Sequence, residues 1–448
     1  MPPLTILRHS RRLSYMDIDI HKSDKRLASV RKNIVQSDIS PENKDLLLDF
    51  GEDCLTGWKI PRVSKTRVVT LLQRTKILTL AINKNLLLFD ERDSKKLLLW
   101  MDEKYPLPDG AWSQHSYRLV IRKFITWMRH KYGYPEGYPN REKLTTALAY
   151  SKFAHEVSHI DAKKPDRLKD AQLIPTNEEM DWLCEAAVNH RDRAYMEMSR
   201  EHGERIGGLG SRQMKHIKFD GVGALVVMHD KTFRGEPVRY LTSSMYLRQW
   251  VDNHPFKDNP EAPLWIDLSK FPDCVPLDYS GFRAIIKRLI ERHNRIATKK
   301  GRSQINKKIT THLFRYYAQT RDEKKGMPRT IMCKLRGWKP GSKQPEQYAR
   351  LTSEDVDDYL MKQSGLVVEK EECRQDNVVK CPRCKEINTE STKYCYKCGL
   401  PLSDDSVFQV EDTVEQTDKM LSELMKDSEF RDMLMKKVAG MNGVKAAV

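Results

Sequence analysis

The sequence predicts a mainly α-helical protein of several domains, with one small antiparallel sheet, a cysteine-rich module and a terminal helix. Its 448 residues are enough for two or three domains with cores of their own. Apolar residues recur at helical spacing in most segments, and short β-rich runs interrupt them around GALVVMH and VRYLTS. Two CxxC pairs near the C-terminal end indicate a small module held together by a metal ion.

The first third of the chain is predicted to be helical. Residues 1–36 read as a basic N-terminal arm with one helix around RLASVRKNIV, and residues 37–160 read as a helical domain. Ser40-Pro41 gives an N-cap followed by a first-turn proline, and Gly57 stands where that helix would end. Two more helices follow before residue 104, the second of them short.

The segment 113–132 carries an apolar stripe at helical spacing, which predicts a helix packed on a core. The stripe consists of Tyr117, Val120, Ile121, Phe124 and Met128. The opposite face is basic and carries Arg118, Arg122 and Arg129. These arginines are either candidates for contacts with phosphates or members of a merely solvated face.

A linker is predicted to separate the helical domain from a second one. Residues 161–175 are charged and lack an apolar stripe, and a capping pattern around Thr176 then begins a new helix. Residues 176–366 read as a mainly helical domain in which the two β-rich runs form a hairpin around DKTFRGEP.

The cysteines point to a structural metal site in residues 373–402. Two CxxC turns, ten residues apart, place four thiolates around one ion, and a short segment with almost no apolar core needs such a staple to fold. We therefore expect a zinc ribbon that binds structural Zn²⁺ through Cys381, Cys384, Cys395 and Cys398. Four cysteine ligands close the coordination shell, which argues against a catalytic metal there.

The last segment, residues 410–437, is predicted as one amphipathic helix with an acidic polar face. Its apolar side consists of Met420, Leu421, Leu424, Met425, Phe430, Met433 and Leu434. Because this stripe looks exposed, we hypothesise that the helix contacts a neighbouring subunit.

Charge indicates a polyanionic partner. Lys and Arg number 79 against 62 for Asp and Glu, which gives a net charge of +17. Nucleic acid is the commonest partner of so basic a chain, although a basic but inert surface is the alternative. There is no apolar run long enough to span a membrane and no apolar signal-peptide core. We therefore expect a cytoplasmic, nucleoid-associated protein with no membrane contact.

Six residues, in order, supply what metal-free cleavage of a phosphodiester requires: Arg205, Lys231, His312, Arg315, Trp338 and Tyr348. Two arginines can hold the phosphate and neutralise its developing charge. A tyrosine can attack phosphorus and store the bond energy as a phosphotyrosine. A lysine on a hairpin can give the departing 5′-oxygen its proton. Singly, each residue is more often an ordinary surface or packing residue, so the inference depends on the whole set.

At these residues the chain resembles the tyrosine recombinase (phage integrase) family. Its stretches RIGGLGSRQMKHIKFDGVGALVVMHDKT and HLFRYYAQT…RGWKPGS…Y are similar to the archaeal branch, where Gly-Trp often replaces Gly-His and a zinc ribbon can follow. The resemblance covers about residues 40–365. It implies that residues 37–160 are a DNA core-binding domain and residues 176–366 the catalytic domain.

The resemblance also implies a role for each residue of the set. Arg205 and Arg315 would clamp the scissile phosphate, and Trp338 would help to hold it. Lys231 would be the general acid, His312 would assist proton transfer, and Tyr348 would form a 3′-phosphotyrosyl bond. Double-stranded DNA would be bound by a homodimer at each site and by a homotetramer in the synapse. Neither a catalytic metal nor ATP would be needed.

Three positions depart from the family pattern. The family usually has an acidic residue where this chain has Gly208, and Glu204 is a candidate substitute. Tyr316 stands where histidine is common, and Asp230 where glycine is frequent. The leading hypothesis is a site-specific recombinase, either the integrase of a virus, plasmid or other mobile element or a chromosome-dimer resolver. The alternatives are topoisomerase-like relaxation of DNA and a DNA-binding protein with impaired catalysis.

Overall fold

A computed structural model describes residues 18–165, 171–229, 234–366 and 377–443. The chain divides into two compact units, Asp19–Lys169 and Asp170–Val448, here called the first and second units. Most of the described residues lie in helices, and the sheets are small and antiparallel, which confirms the predicted fold class. None of the described helices is long and apolar enough to cross a membrane.

The first unit is entirely helical in its described part. Its helices are α1 Ser23–Val35, α2 Pro41–Thr56, α3 Lys65–Ile82, α4 Glu91–Lys104, α5 Ala111–Tyr132, α6 Arg141–Tyr150 and α7 His155–Ser158. Helix α2 has the predicted ends: the Ser40 hydroxyl accepts the Asn43 N–H, and Gly57 ends the helix at a φ of 87°. Helix α1 buries three apolar side chains in the same core, so the described part of the segment predicted as an arm packs there.

The apolar stripe of α5 is buried as predicted, but the basic face is not uniformly solvated. Arg129 is 1% exposed and donates through Nε to the Glu156 carboxylate at 2.8 Å. Its other nitrogens donate to the carbonyls of Leu87 and Phe89. The prediction that Arg129 contacts phosphate is therefore wrong. Helical spacing shows that a face is polar, but it does not show whether a buried carboxylate and carbonyls lie opposite that face.

The second unit places a three-stranded sheet among helices. Its first helices are α8 Asn177–Glu185, α9 His190–His202 and α10 Ile206–Gly210. The sheet follows in the order β1 Ile217–Asp220, β2 Gly223–His229 and β3 Arg234–Tyr240, with antiparallel neighbours. The remaining helices are α11 Ser244–Asp252, α12 Tyr279–Lys300, α13 Leu313–Lys324, α14 Arg329–Leu335, α15 Gln344–Tyr348 and α16 Ser353–Gln363. The predicted hairpin corresponds to β2 and β3.

The C-terminal part contains a two-stranded sheet and two helices. Strands β4 Val378–Lys380 and β5 Ile387–Thr389 are antiparallel, and helices α17 Asp404–Leu424 and α18 Ser428–Gly443 follow. The single helix predicted for 410–437 is thus divided in two. The Asp427 carboxylate accepts the N–H of Phe430, so it caps the start of α18 and explains the break.

Candidate active site and four-cysteine cluster

The candidate active site is built where the end of α9 meets the start of α13. Gly203 ends α9 at a φ of 58°, in the left-handed region that favours glycine. A Cβ at this position would lie 2.4 Å from the Phe314 carbonyl oxygen and 2.8 Å from the Arg315 Cα. Only glycine therefore lets the two backbones approach so closely. The contact brings Glu204 and Arg205, the next residues, to the side of Arg315.

Arg315 is the buried charge at the centre of the site. Its side chain is about 1% exposed, and it donates from Nη2 to the Arg336 carbonyl at 3.1 Å. A carboxylate oxygen of Glu204 lies 3.9 Å from Nη1 of Arg315. Burial lowers the pKa of Arg315 to about 10, Glu204 raises it, and the positive charge of Arg205 lowers it further. The site is therefore dry and rich in positive charge, an environment that favours an anion.

An aromatic cluster lies against this guanidinium. The Tyr348 ring is stacked on Trp338, with centroids 5.6 Å apart and planes at 14°. The Arg315 Cζ is 4.8 Å from the Trp338 ring and 5.4 Å from the Tyr348 ring. His312, which is exposed and precedes α13, meets the Tyr348 ring edge-on at 5.4 Å. Four of the six predicted residues, Arg315, Trp338, Tyr348 and His312, are thus neighbours.

Several buried donors in the cluster have no hydrogen-bond partner in the described part of the chain. They are Nε of Arg315, Nε1 of Trp338, and Nε and Nη1 of Arg336. A buried N–H without a partner is costly, and ordinary protein interiors contain few of them. Such a concentration of unsatisfied donors, all on cationic or indole groups, is typical of a site that accepts an anion with several oxygens.

Of the other two predicted residues, the structure describes Arg205 but not Lys231. Arg205 is half-buried at the N-terminal boundary of α10, and its charge reaches Arg315. Lys231 lies outside the described residues, so its placement relative to the cluster stays a prediction. In the same sheet, Arg239 on β3 makes two hydrogen bonds to the carboxylate of Asp220 on β1, at 2.8 and 2.9 Å.

Gly208, where the resemblance expects an acidic residue, is buried in α10. The carboxylate of Glu204, the candidate substitute, lies 3.9 Å from the Arg315 guanidinium, and its support of Arg205 stays a prediction.

Two arginines that the sequence analysis missed hold the cluster in place. Arg336, which is fully buried, pairs with Asp322 of α13 at 2.5 Å and presents its carbonyl to Arg315. Arg350 donates to the carbonyls of residues 346, 347 and 349, at the end of the short helix that carries Tyr348. No spacing rule identified either residue, since both act through backbone carbonyls whose position depends on the tertiary fold.

The four predicted cysteines meet in the second unit. Their Sγ atoms all lie within 4.8 Å of one another, with Cys381 and Cys398 3.6 Å apart and Cys384 and Cys395 3.5 Å apart. A tetrahedral zinc ion with Zn–S bonds of about 2.3 Å needs sulfur separations of roughly 3.8 Å. The donor set and its spacing therefore fit Zn²⁺.

The thiols of the cluster compete for ionisation. Burial raises the pKa of Cys395, but the backbone N–H groups of Cys398 and Lys397 outweigh it and lower the value to about 6. The backbone N–H of Glu386 lowers the pKa of Cys384, yet burial and the neighbouring thiols raise it to about 12. A zinc ion bound here would displace the protons of those thiols that are still protonated.

The segment that contains the four cysteines is bound to α11 of the same unit. Arg248 on α11 lies 3.4 Å from the Glu386 carboxylate, which also pairs with Lys397 at 3.0 Å. The Asn388 amide donates to the Cys395 sulfur at 3.6 Å. A metal ion bound by these cysteines would therefore stabilise a contact with the main body of the unit as well as the ribbon itself.

Comparison with known proteins gives one family match. Residues 175–355 match the model of the phage integrase family, a span that includes Arg205, Arg315 and Tyr348. No curated protein was found to match the sequence.

Solved structures of similar fold include XerH site-specific recombinase bound to palindromic difH substrate, at 11% identity and a TM-score of 0.47. That match covers 78% of this chain and 98% of the other. The Tn1549 transposon integrase in complex with transposon right end DNA is 13% identical with a TM-score of 0.46, covering 71% and 99%. A lambda integrase tetramer bound to a Holliday junction is 14% identical with a TM-score of 0.44, covering 68% and 80%.

Proposed function

We propose that this protein is a site-specific DNA recombinase, an integrase that cuts and rejoins DNA through a 3′-phosphotyrosyl intermediate. The observation that carries the proposal is the set of unsatisfied buried donors on Arg315 and Trp338, which lies directly beside the Tyr348 ring. The match of residues 175–355 to the phage integrase family supports the same function.

The scissile phosphate would occupy the space that these donors face. Arg315 offers a fixed fork of N–H groups, and Arg205 adds a second guanidinium from the boundary of α10. The Trp338 indole N–H donates to a further oxygen. Because the donors are already in place in a dry site, they stabilise the extra negative charge of the transition state without reorganisation.

Cleavage is a single exchange at phosphorus. The Tyr348 oxygen gives up its proton, with help from His312, and forms the bond to phosphorus. The bond to the 5′-oxygen breaks, and that oxygen receives a proton from Lys231. The products are a 3′-phosphotyrosyl bond and a free 5′-hydroxyl. Attack by the 5′-hydroxyl of a second strand reverses each step, so the number of phosphodiester bonds is preserved and no ATP is consumed.

The remaining parts of the chain would serve DNA binding and assembly. A net charge of +17 favours double-stranded DNA as the partner, chiefly through phosphate contacts. The first unit would bind the DNA as the core-binding domain. Two subunits would bind each recombination site, and four would form the synapse. The ribbon would bind Zn²⁺ in a structural role, because its four cysteines leave no open coordination position.

A nicked suicide substrate tests the proposal. Its sequence is taken from att-like repeats, which are sought in the DNA that flanks the coding region. In EDTA the wild-type protein should form a covalent complex with this DNA, and Tyr348→Phe should form none. The matched control is Tyr359→Phe on α16, where the exposed phenol is far less constrained, and this variant should react normally.

Three results would count against the proposal. A covalent complex from Tyr348→Phe would place the nucleophile elsewhere. Tight binding with no complex from the wild type would indicate a DNA-binding protein with impaired catalysis. Relaxation of any supercoiled plasmid, without recombination between two sites, would indicate a topoisomerase.

A further inference from the structure

Asp322 is a buried carboxylate on α13 that two arginines share. Its side chain is 3% exposed. One of its oxygens accepts hydrogen bonds from Nε and Nη2 of Arg321, at 3.1 and 2.8 Å, and the other accepts one from Nη2 of Arg336 at 2.5 Å. Because a guanidinium fork binds a carboxylate in a narrow range of geometries, this shared carboxylate fixes the position of both arginines.

The first of these arginines supports Arg315 and Trp338. Arg336 follows the last residue of α14, and its carbonyl accepts the hydrogen bond from Nη2 of Arg315 at 3.1 Å. Trp338 is two residues further on, and its backbone N–H donates to the Cys333 carbonyl at 2.7 Å. The pair between Arg336 and Asp322 therefore holds the turn that orients the Arg315 guanidinium and carries the Trp338 indole.

The second arginine supports the backbone that leads to Arg205. Arg321 donates from Nη1 to the carbonyl of Arg200 at 2.7 Å and from Nη2 to the carbonyl of Glu201 at 2.6 Å. Both carbonyls lie in the last turn of α9, where carbonyl groups lack donors within their own helix. The chain continues from there to Arg205, so the position of Arg321 determines where the second phosphate-binding guanidinium begins.

We propose that Asp322 is a positioning residue that aligns the two phosphate-binding arginines, acting on Arg315 through Arg336 and on Arg205 through Arg321. Its effect on the reaction rests on the proposed function, whereas its effect on the position of the two arginines does not. A displacement of about 1 Å in a group that binds the transition state can lower the rate on the order of 100-fold. Loss of Asp322 should therefore be visible in the rate of DNA cleavage.

Asp322→Asn tests the assignment, because asparagine keeps the shape but leaves one acceptor oxygen for two guanidinium groups. The matched control is Asp192→Asn in the first turn of α9. The Asp192 side chain is 7% exposed, and it too accepts two hydrogen bonds from the arginine that precedes it, at 2.8 and 2.6 Å. It lies about 16 Å from Gly203 along the helix axis. Both variants should unfold at lower urea concentration than the wild type, since each leaves a buried arginine without its carboxylate.

The first measurement is the rate of reaction with the nicked suicide substrate, at a temperature where both variants remain folded. Asp322→Asn should form the covalent complex on the order of 100-fold more slowly than the wild type. Asp192→Asn should react at the wild-type rate. A role of Asp322 that is limited to stability would leave both rates unchanged under these conditions.

Hydrogen exchange supplies a second measurement that does not depend on catalysis. In Asp322→Asn the backbone amides of residues 199–205 and 336–338 should exchange roughly ten-fold faster than in the wild type, whereas those of α12 should not change. Arg321→Met leaves Asp322 paired with Arg336, so it should accelerate exchange in residues 199–205 but not in 336–338. This variant tests the same contacts if Asp322→Asn does not fold.

Two results would overturn the assignment: a wild-type rate of cleavage by Asp322→Asn, or unchanged exchange in residues 199–205 and 336–338. A wild-type protein that forms no covalent complex with DNA would contradict the proposed function alone. Faster exchange in both segments of Asp322→Asn would then still identify Asp322 as the residue that holds them.

Discussion

Glu204→Gln should destabilise the protein and at the same time strengthen its binding of anions. The carboxylate of Glu204 lies 3.9 Å from the Arg315 guanidinium, and both side chains are about 1% exposed. Glutamine keeps the shape and one acceptor oxygen, replaces the other oxygen with an NH2 donor, and removes the charge. Arg315 would then share its dry surroundings with Arg205 and Arg336 and with less negative charge to offset them.

The size of the effect follows from the geometry. Two unit charges at this separation attract each other by about 4 kcal/mol at an effective dielectric constant of roughly 20. Removal of one partner from a buried pair costs about 3–5 kcal/mol, because the other charge stays buried. Since the glutamine oxygen still presents a dipole to Arg315, we expect a loss of about 3 kcal/mol in the free energy of unfolding.

Urea unfolding, followed by tryptophan fluorescence, measures this loss. The control is Glu291→Gln on α12, where the same substitution removes an exposed carboxylate 3.5 Å from Lys287. Its effect should stay below about 0.5 kcal/mol. The experiment is repeated with inorganic phosphate, which should restore more stability to Glu204→Gln than to the wild type, because the variant site has the larger uncompensated positive charge.

Two outcomes would refute this reasoning. If Glu204→Gln were as stable as Glu291→Gln, the carboxylate would not be offsetting the charge of Arg315. If phosphate stabilised the wild type as much as Glu204→Gln, the anion would bind somewhere other than this site.

Three further predictions concern the supports of the site. Gly203→Ala should unfold at lower urea concentration and form less covalent complex with DNA, since its Cβ would meet the Phe314 carbonyl at 2.4 Å; wild-type stability would contradict the close approach. The pKa of Asp220 is lowered to about 2, chiefly by its hydrogen bonds from Arg239, so the pair stabilises the fold above about pH 4 and this contribution is lost as the pH falls towards 2. Asp220→Asn should therefore be about 1 kcal/mol less stable than the wild type at pH 7 and equal to it near pH 2, as pH-dependent unfolding would show. Purified protein should contain one zinc ion per chain by atomic absorption, and Cys395→Ser should contain far less; zinc-free wild type would refute the metal site.

The sequence predicts those features that depend on local spacing. Ser40 and Gly57 mark the ends of α2 because capping chemistry acts within a few residues. The two CxxC turns predict the sulfur cluster because each turn fixes its own pair of ligands. The ordered set from Arg205 to Tyr348 is informative for another reason: six residues of five types in one order rarely occur together by chance.

Features that depend on long-range contacts cannot be predicted from local sequence spacing. Arg129 was assigned to the surface because its buried partner Glu156 lies 27 residues away, in a different helix. The roles of Arg336 and Arg350 depend on which carbonyls the fold places before them. The break between α17 and α18 was missed because the apolar pattern continues across Asp427, whereas the cap acts on the backbone.

The hydrogen bonds of Arg350 have a consequence for how the reaction is timed. Helix α15 has only five residues, too few to persist alone, and the fork of Arg350 closes its last turn. The backbone N–H of Arg350 is itself bound to the Thr320 hydroxyl on α13. These contacts hold Tyr348, the proposed nucleophile, beside Trp338 and Arg315 of the same chain. If Tyr348 were donated to a neighbouring subunit, the hydrogen bonds of Arg350 would have to break and the stacked rings of Trp338 and Tyr348 would have to separate. Donation between subunits would therefore require a conformational change in this segment.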